Sequence, residues 1–174
     1  MNMLVLKKRI IKVLKKRIAF FFVNNVFYGT FPSFWPIKRN LLNWAGMEIG
    51  SGAKIVGPVR ITGDLKVGEN TWISTGFTVH GNGSVIIGSH CDIGPDVTFL
   101  TGSHKLGSHE RRAGVGLSFR IIINDGIWIG GHSTFVGDIE IGKGCMIGAS
   151  SLVNKSCSDD LLIAGIPAKI VKKL

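Results

Sequence analysis

The chain has 174 residues, 45% of them hydrophobic, with 21 Lys and Arg against 11 Asp and Glu for a net charge of +10. That length bounds it to one domain with at most an appended segment, and that hydrophobic share can fill a core. Twenty-four glycines without a Gly-X-Y period exclude collagen, and three cysteines, with no zinc spacing between them, read as reduced thiols in a cytoplasmic protein. Residues 1–45 carry nine Lys or Arg and no acid, so the rest is nearly neutral. A nucleic-acid reader would spread its charge over a surface, and no nucleic-acid partner is expected.

Met1 to about Tyr28 alternates apolar and basic residues at helical spacing and then runs into Phe20-Phe21-Phe22-Val23. The apolar run Ile18–Val23 stops at Asn24 and Asn25, far short of the ~20 residues that a membrane span needs, and it lacks the small-residue cleavage site of a signal peptide. Two readings stay open for this basic amphipathic helix: it lies on an anionic membrane surface, or it packs on the body of the protein or on a neighbouring subunit. An aromatic, proline-broken linker follows at 31–36, then a short helix over Ile37–Ala45.

From Ile49 the sequence becomes periodic. Ile, Val or Phe recurs every six residues at 49, 55, 61, 67, 73 and 79, at 87, 93 and 99, and at 123, 129, 135, 141, 147 and 153. The fourth residue of each unit is a turn former or a short polar residue, among them Gly52, Asn70, His90, Asp96 and His132. The fifth is mostly small or apolar, as at Ala53, Val59, Cys91 and Cys145. A period of six fits neither a helix nor a hairpin ladder; it fits a solenoid of short strands, each ended by a bend. Three units make one triangular turn, so the fifteen units predict about five turns in a prism roughly 20–25 Å tall. The expected organisation is a helical segment and linker over 1–45, the solenoid over 46–158 and a short extension over 159–174.

The period breaks twice. Two extra residues enter around His80–Ser84, and a long loop over 105–121 leaves the prism directly after His104. Long loops in compact repeat folds are usually functional. His90 and His132 fall on corners and read as solvent-facing bend residues.

With these units, the stretch Val97-Thr-Phe-Leu-Thr-Gly-Ser-His104 and the closing Ala164-Gly-Ile-Pro-Ala-Lys-Ile-Val-Lys172, the chain resembles the hexapeptide-repeat acyltransferases. The resemblance runs from about Ile49 to Lys173 and is nearest to the galactoside, maltose and nodulation-type O-acetyltransferases. It implies a left-handed parallel β-helix, a handedness that the period alone does not give because parallel crossovers are nearly always right-handed. It also implies a homotrimer with sites between subunits, acetyl-CoA as acyl donor and no metal. His104 becomes the catalytic base. The coenzyme would meet the main chain near Gly131, Ala149, Asn154 and Lys155, and its phosphates would meet Lys169 and Lys172. Where the galactoside and maltose enzymes carry acceptor-binding asparagine and aspartate, this chain has Gly76 and Asn82, so the familiar free sugar is not implied. Asn82, His80, Arg111 and Arg112 are the candidate acceptor contacts.

The expected function is acetyl transfer to a sugar hydroxyl in surface polysaccharide or glycolipid assembly, in the cytoplasm or on the inner face of the membrane. Three other readings keep a place. An aminosugar N-acetyltransferase would use the same base. A γ-carbonic-anhydrase-like zinc enzyme would need His80, His104 and His109 around one metal. A trimeric scaffold would need no base at all.

Overall fold

The computed structural model of the protein describes residues 3–174. Met1 and Asn2, part of the expected basic segment, lie outside the described residues, as do the side chains of Leu4, Lys8 and Arg9. The six-residue period becomes a solenoid of three parallel sheets. The first face stacks strands Glu48–Ile49, Asp64–Val67, Ser84–Ile87, Arg120–Ile123 and Ile139–Ile141. The second stacks Lys54–Ile55, Trp72–Ile73, Asp92–Ile93, Trp128–Ile129, Met146–Ile147 and Leu161–Gly165, and Ala168–Lys173 folds back antiparallel on the last. The third stacks Arg60–Ile61, Thr78–His80, Thr98–Leu100, Thr134–Val136 and Leu152–Val153. Cys157 bridges Ile141 to begin a partial further turn, which brings the stack to about six turns instead of the five counted from complete units. That turn is shorter: Ile147 lies over Ile163, sixteen residues on, whereas Ile55 lies over Ile73.

All fifteen unit-opening residues are buried, as are the inward fifth-position residues Ala53, Val59, Leu65, Thr71, Cys91, Val97, Ser133, Ile139, Cys145 and Ser151. Like residues stack on like along each face, Phe99 on Phe135 with ring centroids 4.8 Å apart. The buried hydroxyls are satisfied inside the coil: Thr71 Oγ1 donates to the Gly88 carbonyl at 2.8 Å, and Ser133 Oγ donates to Gly130 at 2.8 Å.

The corners divide by backbone. At the first corner Gly52, Asn70, His90, Gly126 and Gly144 are left-handed, and at the second Gly76, Asp96, His132 and Ser150 are. A left-handed bend favours Gly and, next, short polar residues that bond locally, which is why His90 and His132 sit where a bend is needed. The third corner, at Asp64, Asn82, Gly102, Asp138 and Ser156, has no left-handed residue at that unit position. There a side-chain oxygen closes the bend in two turns: Asp138 Oδ1 accepts from Arg120 N at 2.6 Å and Ser156 Oγ from Glu140 N at 3.0 Å. Both interruptions of the period leave from this third corner.

Before the solenoid come helix α1 (Met3–Phe21), a π-helical turn (Phe22–Val26) and helix α2 (Phe34–Trp44). They cover the open first turn with side chains that imitate peptide groups. Asn43 accepts from Ile49 N at 2.7 Å and donates to Ile49 O at 3.1 Å on the first face. Asn24 does the same for Val59 at the third face, with both bonds at 2.9 Å. On the second, Lys38 Nζ, fully buried, donates to Val56 O at 3.0 Å and Gly29 O at 2.7 Å with its ammonium 4.5 Å from the Trp35 ring centre. Burial pushes the Lys38 pKa down to about 8, and the two carbonyls and the ring face offset the cost of placing a cation there.

Candidate active site

His104 lies on a β-hairpin. The expected loop over 105–121 takes the form of two antiparallel strands, Gly102–Leu106 and Ala113–Ser118, with His104 opposite Gly116. Thr101 fixes the root. It is fully buried, its Oγ1 donates to the His80 carbonyl at 2.9 Å and accepts from Gly83 N at 3.2 Å, and its own carbonyl accepts from Phe119 N at 2.8 Å. The two-residue insertion at 80–84 and the hairpin are thus one assembly, joined through a hydroxyl that sequence reading passed over. The signal was there, in the Thr of Thr-Gly-Ser-His.

The ring of His104 is exposed, and its Nδ1 lies 2.8 Å from the Gly114 carbonyl on the returning strand. A carbonyl only accepts, so Nδ1 carries the proton. In the neutral ring Nε2 then keeps its lone pair and is free to act as a base. Pairing is irregular between His104 and Leu106, and such a bulge re-aims the side chain next to it. Gly114 was not a residue that sequence analysis had singled out.

The candidate coenzyme residues divide into two places. Asn154, Lys155 and Lys169 line one cavity of about 330 Å³ with Cys157, Ile163 and Pro167, between the last turn and the returning strand. Two ammonium groups and an amide beside an apolar strip suit phosphate and pantetheine chemistry. Gly131 and Ala149 sit instead on the second corner, stacked with Pro95 and Gly130. Lys172 is exposed opposite Leu162 on the returning strand and does not line the cavity. Cys157 faces Cys145 across 3.8 Å, and burial, then the neighbouring thiol, pushes the Cys145 pKa up to about 11, which keeps that thiol protonated.

Among the candidate acceptor residues, Asn82 lines a polar cavity of about 430 Å³ at the third corner with Thr62, Asp64, Lys12 and Lys16, the last two from α1. His80 is exposed at the end of its strand, one rung below Leu100. Arg111 and Arg112 are exposed at the hairpin tip, where Arg112 reaches the Gly107 carbonyl at 3.5 Å. A Cβ on the left-handed backbone of Gly76 would meet the Asp96 carboxylate, which would have to move aside. Among the described residues of a single chain no three His, Cys, Asp or Glu side chains form a metal-binding group, and His80, His104 and His109 do not come together within it.

The architecture these residues build is a parallel β-helix of six-residue units with a histidine-bearing hairpin at one corner. Galactoside O-acetyltransferase of Escherichia coli is 27% identical over 150 residues, 85% of this chain and 74% of that one. A galactoside acetyltransferase solved with coenzyme A superposes with a TM-score of 0.79 at 25% identity, over 93% of this chain and 80% of the other. A hexapeptide-repeat acetyltransferase of Vibrio cholerae bound to acetyl coenzyme A gives 0.79 at 24%, over 92% and 85%, a likeness of fold. No protein-family model matches the chain. The chain is thus similar to hexapeptide-repeat acetyltransferases, galactoside and maltose O-acetyltransferases among them.

Proposed function

We propose that the protein moves an acetyl group from acetyl-CoA to a sugar hydroxyl, with His104 as the base, in the assembly of a surface polysaccharide or glycolipid. The observation that carries the reading is the bond from His104 Nδ1 to the Gly114 carbonyl, 2.8 Å long, on a chain related to galactoside O-acetyltransferase. Nε2 takes the proton of the acceptor hydroxyl as its oxygen attacks the thioester carbonyl. The tetrahedral centre then collapses, the carbon–sulfur bond breaks, and the imidazolium returns the proton to the departing thiolate. Asn154, Lys155 and Lys169 hold the nucleotide end of the donor in their cavity.

The protein works as a homotrimer with each site between two subunits, in the cytoplasm with its N-terminal segment towards the inner face of the membrane. Support for the trimer comes from the hairpin, whose Leu106 and Val115 are 83% and 72% exposed in a single chain; apolar side chains held out on a rigid ribbon suit burial against a neighbour. The test is release of free coenzyme thiol from acetyl-CoA across nucleotide sugars, aminosugars and glycan fragments. Turnover with hydroxyl acceptors supports the reading, and turnover with aminosugars alone replaces it by N-acetylation. Absence of acetyl-CoA binding removes it, and activity that survives His104→Ala removes the base.

A further inference from the structure

Helix α1 is amphipathic, but it is mounted with its polar side inward. Lys12 pairs with Asp64 at 3.2 Å, and Lys16 donates to the carbonyls of Gly63 at 2.8 Å and Thr62 at 3.3 Å. Ala19 and Val23, further along the same side, are fully buried. Burial, then the Lys12 charge, pulls the Lys16 pKa down. Helical spacing puts Leu6, Ile10, Leu14 and Phe21 on the other side, with Val13 at the edge where it also lines the cavity beside Lys12 and Lys16. Leu6, Ile10, Val13, Leu14 and Phe21 are 40%, 57%, 50%, 55% and 58% exposed. Four of them form a groove with Arg17. At the end of the helix the apolar surface continues through an aromatic ladder, Phe21 to Phe22, Phe27 and Phe34, with centroids 5.3–6.2 Å apart. Among the described residues no helix is long and apolar enough to cross a membrane.

We infer that this outward stripe and its aromatic ladder insert into the boundary between headgroups and acyl chains of an anionic bilayer, while Lys12 and Lys16 latch the helix to the solenoid. Charge complementarity selects the occupant. Residues 1–45 hold nine cations and no acid, so a second copy of the stripe would bring Arg17 and Lys7 against their own kind with no carboxylate to answer them. Anionic headgroups supply the missing charge, and Arg17 within the stripe can extend its guanidinium to them. Lipid contact here comes from apolar insertion, not from the lysines that make the segment look like a basic membrane helix. The inference deepens the acetyltransferase reading in one respect and rests on it there. Helix α1 shares the third-corner cavity with Asn82, the corner from which the His104 hairpin leaves, so docking brings that corner to the bilayer and names the acceptor class as a lipid-linked sugar.

Flotation of the full chain with phosphatidylcholine vesicles, with and without phosphatidylglycerol, tests it. Wild type floats with the anionic vesicles, and Ile10→Glu with Leu14→Glu cuts the bound fraction about tenfold or more, with Tm unchanged. Lys12→Gln with Lys16→Gln leaves binding within about twofold, since these lysines do not reach lipid. The inference is overturned if wild type stays unbound or the glutamates do not weaken binding. It is equally overturned if the lysine variant loses about tenfold, or if the glutamates split the oligomer in light scattering of a protein that does not float. Thiol release with soluble acceptors is read in parallel: flotation without turnover fails the acetyltransferase reading and leaves the lipid contact standing, and turnover without flotation does the reverse.

Discussion

The first two corners of the solenoid and the third solve the same bend in different ways. At the first and second, a left-handed residue turns the chain within one position, and the turns stack without interruption from Gly52 to Ser150. At the third, the corner position itself is never left-handed: Gly81 and Gly137 take that conformation one residue earlier, in two turns only. Side chains from the turn above, Asp138 for Arg120 and Ser156 for Glu140, accept there as Asp125 and Asp159 do at the first corner. Where every turn repeats a left-handed residue at one position, added chain would break the stack, and the third corner has no such repeat. The third corner therefore carries the 80–84 insertion, the His104 hairpin and the contact with α1, and the other two carry none of these. Regularity at two edges is what allows the third to vary.

Substitutions at matched positions break or sharpen this contrast. The largest effect is expected for His104→Ala, with thiol release down about 10²–10⁴-fold, the range for loss of a general base, and no change in Tm. His132→Ala, at a second-corner position, leaves turnover within about threefold, because a bend residue makes no proton transfer. Phe99→Ala, which removes the middle of the aromatic stack within the third face, costs about 3–5 kcal/mol by chemical denaturation. Thr101→Val and Thr71→Val each leave a buried backbone group without its partner and each cost about 1–3 kcal/mol. Thr101→Val also lowers turnover, because the hairpin root loosens, and Thr71→Val at the first corner does not. Equal loss of turnover from both would show that the third corner has no special link to the chemistry. The smallest effect is expected for His90→Gly, a change within about 1 kcal/mol as relief at a left-handed residue offsets the added freedom of the unfolded chain.

Much of this was legible in the chain. A residue that must be inward every six positions announces itself, and all fifteen such residues are buried. The bend residues were equally readable, because few side chains tolerate a left-handed backbone. Other features were not. The hairpin partner Ala-Gly-Val-Gly-Leu-Ser has weak strand character and is set by pairing with Gly102–Leu106, which no local pattern reports. The side of α1 that faces the body was hidden because lysines spaced along a helix look the same whether they meet water, lipid or the carbonyls of Thr62 and Gly63. The grouping of Asn154 and Lys155 with Lys169, apart from Gly131 and Ala149, depends on where the chain reverses after Gly165, and the spacing of residues along the chain does not encode that.

The asparagines over the first turn have a consequence for solubility. A stack of parallel rungs ends in a row of unpaired peptide groups, the template on which another molecule could continue the ladder into a fibre. Asn24 and Asn43 occupy those peptide sites with amides that have no chain beyond them. Two side chains thus terminate a structure whose repeat has no intrinsic stopping point.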